Sequence, residues 1–252
     1  MEKMKSPRIK TAHKAYLSPY EINEFPKDFP MNLGREIVYI LATNPAPVIE
    51  GRDWERIFAK SIGGAWTPSN VGLDDVIKNK TAWGAKTVKS SNPFDAKSVR
   101  LISGRNSPSY SYGTSDVHGV SIAELAEQVL GIWNERVKEA QKQYEELRTV
   151  VLLKSEDLIE CSAFEYFTTM YDYSKYDWKW NDRGNLIGLE SNGSLKFTWQ
   201  PHGSQFTITE QVPQKRLKIR ILHRPNLVSQ EELFKAIDFN DNWIQIIDGE
   251  EE

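Results

Sequence analysis

Cysteine is almost absent from this 252-residue chain, and histidine is sparse. The single Cys161 excludes an intramolecular disulfide and points to a reducing compartment. The four histidines, His13, His118, His202 and His223, stand far apart without ligand spacing, and one cysteine cannot complete a structural zinc site. No run approaches the roughly 18 apolar residues of a membrane span. The opening stretch MEKMKSPRIKTAHK lacks the apolar core of a signal peptide, so the expectation is a soluble, cytoplasmic protein with no membrane partner. Phosphate-loop, dinucleotide-fingerprint and nucleophile-elbow patterns are missing too, as are internal repeats and low-complexity tracts.

What is present is enough apolar residue, 39%, to fill a sizeable core, and an uneven distribution of charge. The formal net charge is -3, yet Lys78 to Arg105 holds seven basic residues against the single acid Asp95. That local excess of six leaves the remainder at -9. A second basic cluster runs through Lys215, Arg216, Lys218, Arg220 and Arg224. Such asymmetry fits a phosphate-facing surface on an otherwise acidic body, although any single one of these residues reads better as ordinary solvated charge.

The most informative segment is Val71 to Lys89, VGLDDVIKNKTAWGAKTVK. Val71, Leu73, Val76 and Ile77 give one strand-like run, and Ala82 to Val88 gives another. The polar link Lys78-Asn79-Lys80-Thr81 suits a hairpin between them. Pairing of the runs sets a pair of acids, Asp74 and Asp75, at the end of one strand and Lys86 in the next, at one edge of a sheet. A carboxylate there can hold a divalent cation and an ammonium can hold a water.

On these residues the chain resembles the PD-(D/E)xK nucleases, in particular the type II restriction endonucleases. In that family one strand ends in Asp and the next carries (D/E)xK; the two acids bind Mg2+, and the Lys orients the attacking water. Here Leu73-Asp74-Asp75 replaces the Pro-Asp step, and the (D/E)xK slot reads Gly84-Ala85-Lys86, with no acid at Gly84. The resemblance implies Asp75 and Lys86 as catalytic residues, Asp75 and Asp74 as Mg2+ ligands, and a missing acid supplied from elsewhere.

Glu55 is the expected source, both as a metal ligand and as a catalytic residue. Glu50 to Ile62 reads as a helix with Trp54, Ile57, Phe58 and Ile62 on its apolar face and Gly63-Gly64 as its stop. That spacing puts Glu55 at the flank of the buried stripe, and related nucleases complete their acidic cluster with a glutamate from this helix. The alternative is a solvated residue paired with Arg52, Arg56 or Lys60.

Further along, a strand is expected around Lys97 to Ser103, then an exposed loop from Gly104 to Gly113. Ser121 and Glu124 cap a long helix whose apolar repeat runs on through Tyr144 and Leu147, to about Val150. Thr149 to Leu153 reads as a buried strand. An aromatic belt, Tyr166 to Trp180, precedes four short alternating runs, Asn185 to Glu190, Leu195 to Gln200, Gln205 to Gln211 and Leu217 to His223, read as an antiparallel meander. Ser229 and Glu232 cap a last helix. This order describes an α/β or α+β protein with a mixed central sheet flanked by helices and a C-terminal antiparallel meander, which the resemblance makes restriction-endonuclease-like. One domain, 1–252, is expected, with a catalytic region at 45–155 and a β-rich region at 156–252 for recognition or dimerisation.

Two segments qualify for DNA contact. The loop offers Arg105, Asn106 and Ser107, preceded by Arg100. The turn around Trp199, Gln200, His202 and Gln205 groups an indole, two amides and an imidazole, able to stack on bases or to bond with their edges. Its plain alternative has Trp199 and Phe206 in the core and His202 merely in the turn. Lys89 is a further candidate phosphate contact. The expectation is a Mg2+-dependent, sequence-specific endonuclease acting on double-stranded DNA. The resemblance implies a homodimer, with the aromatic belt or the long helix as interface, and a cognate DNA methyltransferase in the same system. The alternatives are a non-catalytic DNA-binding protein with a decayed site, a repair or recombination nuclease reading shape, and an interaction protein in which the acids and lysine are structural.

Overall fold

The computed structural model describes residues 17–67 and 72–247. Among the described residues, two sheets and five α-helices form an α+β fold. One sheet is mixed and six-stranded: β1 (Ala65–Trp66), β2 (Val76–Lys78), β3 (Thr81–Lys89), β5 (Glu146–Lys154), β6 (Glu160–Phe167) and β11 (Leu217–Arg220), in the order β1-β2-β3-β5-β6-β11. The other is antiparallel and five-stranded, combining β4 (Ser98–Arg105) with β7 (Asp177–Trp180), β8 (Leu186–Leu189), β9 (Leu195–Gln200) and β10 (Gln205–Gln211), in the order β4-β10-β9-β8-β7. The meander is therefore β7 to β10, and the run from Leu217 leaves it to pair with β6 in the mixed sheet. The expected strand around Lys97 to Ser103 joins the meander as its edge.

Helices α1 (Phe29–Thr43) and α2 (Gly51–Ile62) cover one face of the mixed sheet. Phe29, Leu33 and Ile37 of α1 and Trp54, Ile57 and Phe58 of α2 pack with Trp83, Ala85, Val150 and Leu152. Helix α2 follows the spacing of its apolar residues and stops where Gly63 adopts a left-handed conformation (φ 66°), as a glycine stop requires. Helix α1, which the sequence reading passed over, carries Phe29, Leu33, Ile37 and Leu41 at four-residue intervals behind Pro30.

The opposite face packs against the second sheet and α4 (Ile122–Gln141). Helix α4 ends well before Val150. Tyr144 is already outside it, and Leu147 belongs to β5, just before which Glu145 N–H bonds to Lys80 O in the turn between β2 and β3. Strand β5 buries Val150 and Leu152 against α1 and α2, and Val151 and Leu153 against β4, which explains its unbroken apolar run. It lies parallel to β3, reached through a crossover containing β4, α3 (Pro108–Tyr112) and α4. No described helix is long and apolar enough to cross a membrane.

The aromatic belt is engaged within the chain: Tyr171, Tyr173, Tyr176, Trp178 and Trp180 pack on the core between α4 and the second sheet.

Candidate active site

The β2–β3 hairpin forms as expected, with Val76 opposite Trp83 and Ile77 opposite Ala82. Val71 lies outside the described residues. The acids sit at the start of β2 rather than at the end of a strand: Leu73, Asp74 and Asp75 form the approach to it, tied back by Thr67 N–H to Asp75 O (3.0 Å) and Thr67 Oγ1 to Asp74 O (2.9 Å).

Asp75 is only 4% exposed, and its Oδ2 accepts the Ala85 N–H at 2.9 Å. This bond fixes the carboxylate against the strand that carries Lys86. Burial raises its pKa; the Ala85 N–H and the Lys86 ammonium oppose the shift, and the nearby Glu55 and Asp74 carboxylates add to it. The charges of Glu55, Asp74 and Lys86 are thus all felt at Asp75. Asp74 is half-buried, with Oδ2 3.5 Å from the Tyr144 hydroxyl and a buried Oδ1 that has no hydrogen-bond partner. Glu55 lies half-buried on the flank of α2, and its Oε2 accepts the Trp66 Nε1–H at 3.0 Å. None of its three basic neighbours holds it: Arg56 pairs with Asp53 and Lys60 with Glu36.

The missing acid has a steric explanation. A Cβ on Gly84 would lie 2.7 Å from Gly72 O and 3.4 Å from Leu73 Cα, so the backbone leading to the two aspartates fills the space an acidic side chain would need. No group of three or more His, Cys, Asp or Glu side chains among the described residues is arranged to hold a metal ion on its own. A divalent cation with hard oxygen preference does not require one: Mg2+ is commonly held by one or two carboxylates, with waters and substrate phosphate completing its shell. The unpartnered Asp74 oxygen and the buried, proton-favouring Asp75 are suited to such a cation.

Lys86 faces a cleft of about 450 Å³ between the two sheets, walled by Gly72 and Leu73 on its own side and by Arg105, Arg136 and Glu210 elsewhere. The expected DNA-contact residues divide sharply. Arg105 is exposed at this cleft, and Arg100 is exposed on β4. Lys89 is exposed but paired with Glu156. Asn106 is fully buried, contrary to expectation: its Nδ2 donates to Val129 O at 2.7 Å, its Oδ1 accepts from Arg136, and its carbonyl accepts the Trp199 Nε1–H at 2.7 Å. Ser107 caps α3 through Oγ, which accepts the Tyr110 N–H. Trp199 is 1% exposed and belongs to the core with Phe206, so the plain reading of that turn holds for the indole. Gln200, His202 and Gln205 remain at the surface, and Gln205 stands opposite Arg105 in the β4–β10 ladder. The two suspected contact segments are therefore neighbours.

The second basic cluster is largely engaged: Lys215 pairs with Glu24, Arg220 with Glu160, and Arg216 donates to the Pro213 and Phe94 carbonyls. Sequence reasoning missed Arg136, a cleft cation drawn from the middle of α4, whose position in a run of alternating charge gave no hint of partial burial.

The fold and this edge define an α+β protein with a buried and a half-buried aspartate at the start of β2, a half-buried glutamate on α2, and on β3 a lysine that lines a cleft. Compared with known proteins, the chain matches no family model, no curated protein and no solved structure.

Proposed function

We propose that the protein is a Mg2+-dependent endonuclease acting on double-stranded DNA, of the type II restriction kind suggested by the PD-(D/E)xK resemblance. The observation that carries this reading is the buried Asp75 carboxylate, tied by the Ala85 N–H to the strand that bears Lys86 and adjoining an Asp74 oxygen left without a partner. Asp75, with Asp74 or Glu55, would hold the cation. Bound there, it would polarise the scissile phosphate and lower the pKa of a water. The chain's own part is to hold Asp75 against β3 through the Ala85 N–H, and to set the Lys86 ammonium where it can orient the attacking water for in-line displacement. The products would be 3'-hydroxyl and 5'-phosphate ends, as in the family. A homodimer and a partner methyltransferase belong to the same reading.

One observation favours a second version, a repair or recombination nuclease recognising DNA shape. Asn106, Ser107 and Trp199 support the fold instead of projecting outward, which reduces the surface available for base readout to Arg100, Arg105, Gln200, His202 and Gln205.

Digestion of plasmid and phage DNA with Mg2+, Ca2+ or EDTA tests the proposal, comparing wild type with Asp75→Ala and Lys86→Ala. Discrete Mg2+-dependent fragments, lost in both variants, are expected. Cleavage without discrete fragments would favour shape recognition. DNA left intact under every condition, yet retarded equally by wild type and variants, would overturn the enzyme in favour of a binding protein with a decayed site.

A further inference from the structure

The cleft beside Lys86 has a composition the nuclease reading does not use. Its volume of about 450 Å³ falls within the roughly 300–1,000 Å³ typical of sites for a single small molecule, and is far too small for a length of duplex. Trp133, Phe167 and Tyr171 give it aromatic surface, and Trp133 and Tyr171 are stacked with centroids 6.5 Å apart. Phe167 is 53% exposed, a ring at the wall with part of its surface uncovered.

The charge around these rings is positive. Lys86, Arg105 and Arg136 line the cleft; Lys86 has the Asp75 carboxylate to act on, whereas Arg105 and Arg136 are in no ion pair with a described carboxylate. Arg136 is held by neutral partners, the Ser103 carbonyl at 2.8 Å and the Asn106 side chain, and its Nε is buried without a partner. The one acid, Glu210, is already neutralised by Lys196 at 2.7 Å and accepts the Tyr171 hydroxyl at 3.2 Å. Aromatic surface beside uncompensated cations suits a ligand with a planar ring and an anionic group.

We infer that the cleft binds a single unstacked nucleotide, its base against Phe167, Trp133 and Tyr171 and its phosphate on Arg105 and Arg136. Where this nucleotide is part of a DNA strand the inference rests on the nuclease reading, with the base extruded from its stack next to the strand held at Lys86. A free deoxynucleoside monophosphate presents the same chemistry.

Two measurements, both in EDTA to exclude cleavage, separate the sources. Oligonucleotides carrying 5-iodo-2'-deoxyuridine are photocrosslinked to the protein and the crosslinked peptides mapped; deoxynucleoside monophosphates are titrated by calorimetry. Crosslinks at Trp133 or within residues 166–171 are expected, reduced about tenfold or more in Arg105→Ala, as loss of a charge-assisted contact to phosphate predicts. Phe167→Ala should reduce them as well. Both side chains are exposed, so folding of the variants is readily checked. Monophosphate binding with the same sensitivity would identify the free nucleotide as a ligand, and crosslinks without it would identify the strand. Crosslinks only outside the cleft, affinity unchanged in both variants, or no binding of either probe would overturn the inference. Uncut plasmid with crosslinks in the cleft would defeat the nuclease and leave the cleft standing; cut plasmid with crosslinks elsewhere would do the reverse.

Discussion

Two buried carboxylates on the mixed sheet receive opposite treatment from the fold. Glu165 of β6 accepts from Tyr20 Oη at 2.8 Å, Trp83 Nε1 at 2.7 Å, the Asn23 N–H at 3.2 Å and Arg148 Nη1 at 3.1 Å. Arg148 in turn reaches Glu146 and Ser18, both at 2.6 Å, and the Tyr20 carbonyl at 2.8 Å. Asp75 accepts one backbone N–H, and neighbouring Asp74 leaves a buried oxygen unpartnered. Burial pushes the pKa of both Glu165 and Asp75 upward; at Glu165 an arginine and several donors oppose it, whereas at Asp75 only the Ala85 N–H and the Lys86 ammonium do so and two further carboxylates reinforce it. A buried charge whose lone pairs are all occupied fixes architecture, here docking the 17–25 segment onto the sheet. One left short of donors keeps capacity for a cation or substrate.

The comparison breaks most severely at Glu165. Arg148→Met should destabilise the protein by about 3–5 kcal/mol, because it strands an uncompensated buried carboxylate, and denaturant unfolding would read this directly. A loss of under about 1 kcal/mol would place Glu165 in the same class as Asp75. Next in size is Gly84→Ala. Its new methyl meets Gly72 O at 2.7 Å, so a cost of about 1–3 kcal/mol is expected by the same measurement, with the aspartates displaced. A neutral Gly84→Ala would mean that the glycine reflects a lost acid rather than a packed backbone.

The smallest effect has the opposite sign. The folded-state pKa of Asp75 is raised, so between its unfolded value and its folded value the native state binds more protons than the unfolded one. The stability associated with its protonated form is full at low pH and is lost as pH rises through the folded pKa. Asp75→Asn should therefore stabilise the metal-free protein at pH 7, with the gain shrinking toward pH 4. Mg2+ at about 100 times its dissociation constant would add about 2.7 kcal/mol to wild type, and this increment should vanish in the variant. Thermal melts at the two pH values, with and without Mg2+, check both statements.

Much of the fold was legible in local sequence. Helix α2 was readable because its apolar spacing and glycine stop are contiguous, and the β2–β3 hairpin because its runs flank a short polar link. Helix α4 was overextended because Tyr144 and Leu147 continue its spacing by coincidence, and the change is marked by tertiary bonds, from Glu145 N–H and Glu146 N–H to Lys80 O. Strand β6 stayed hidden because Ser162 and Glu165 interrupt its apolar pattern while being fully buried. At the site, what the sequence made legible is the placement of Lys86 on β3 and of Glu55 on the flank of α2, because both elements have clear patterns; Asp75 falls just before β2, whose three residues are too few to show a period. Asn106 was misread because its composition suits a turn, whereas its partners, Val129 O, Arg136 and Trp199, lie 23 to 93 residues away.

The parallel pairing of β3 with β5 bears on the order of assembly. Lys86 is in register with Val151, and every residue of β4, α3 and α4 intervenes. The β2–β3 hairpin closes a loop of a few residues and can form in microseconds, whereas alignment with β5 waits on a long loop closure. β4 and α4, the same intervening elements, carry Arg105 and Arg136, so the far wall of the cleft is drawn from the loop that this pairing closes. Acquisition of the cleft and closure of the central sheet should accordingly appear as one kinetic phase in refolding.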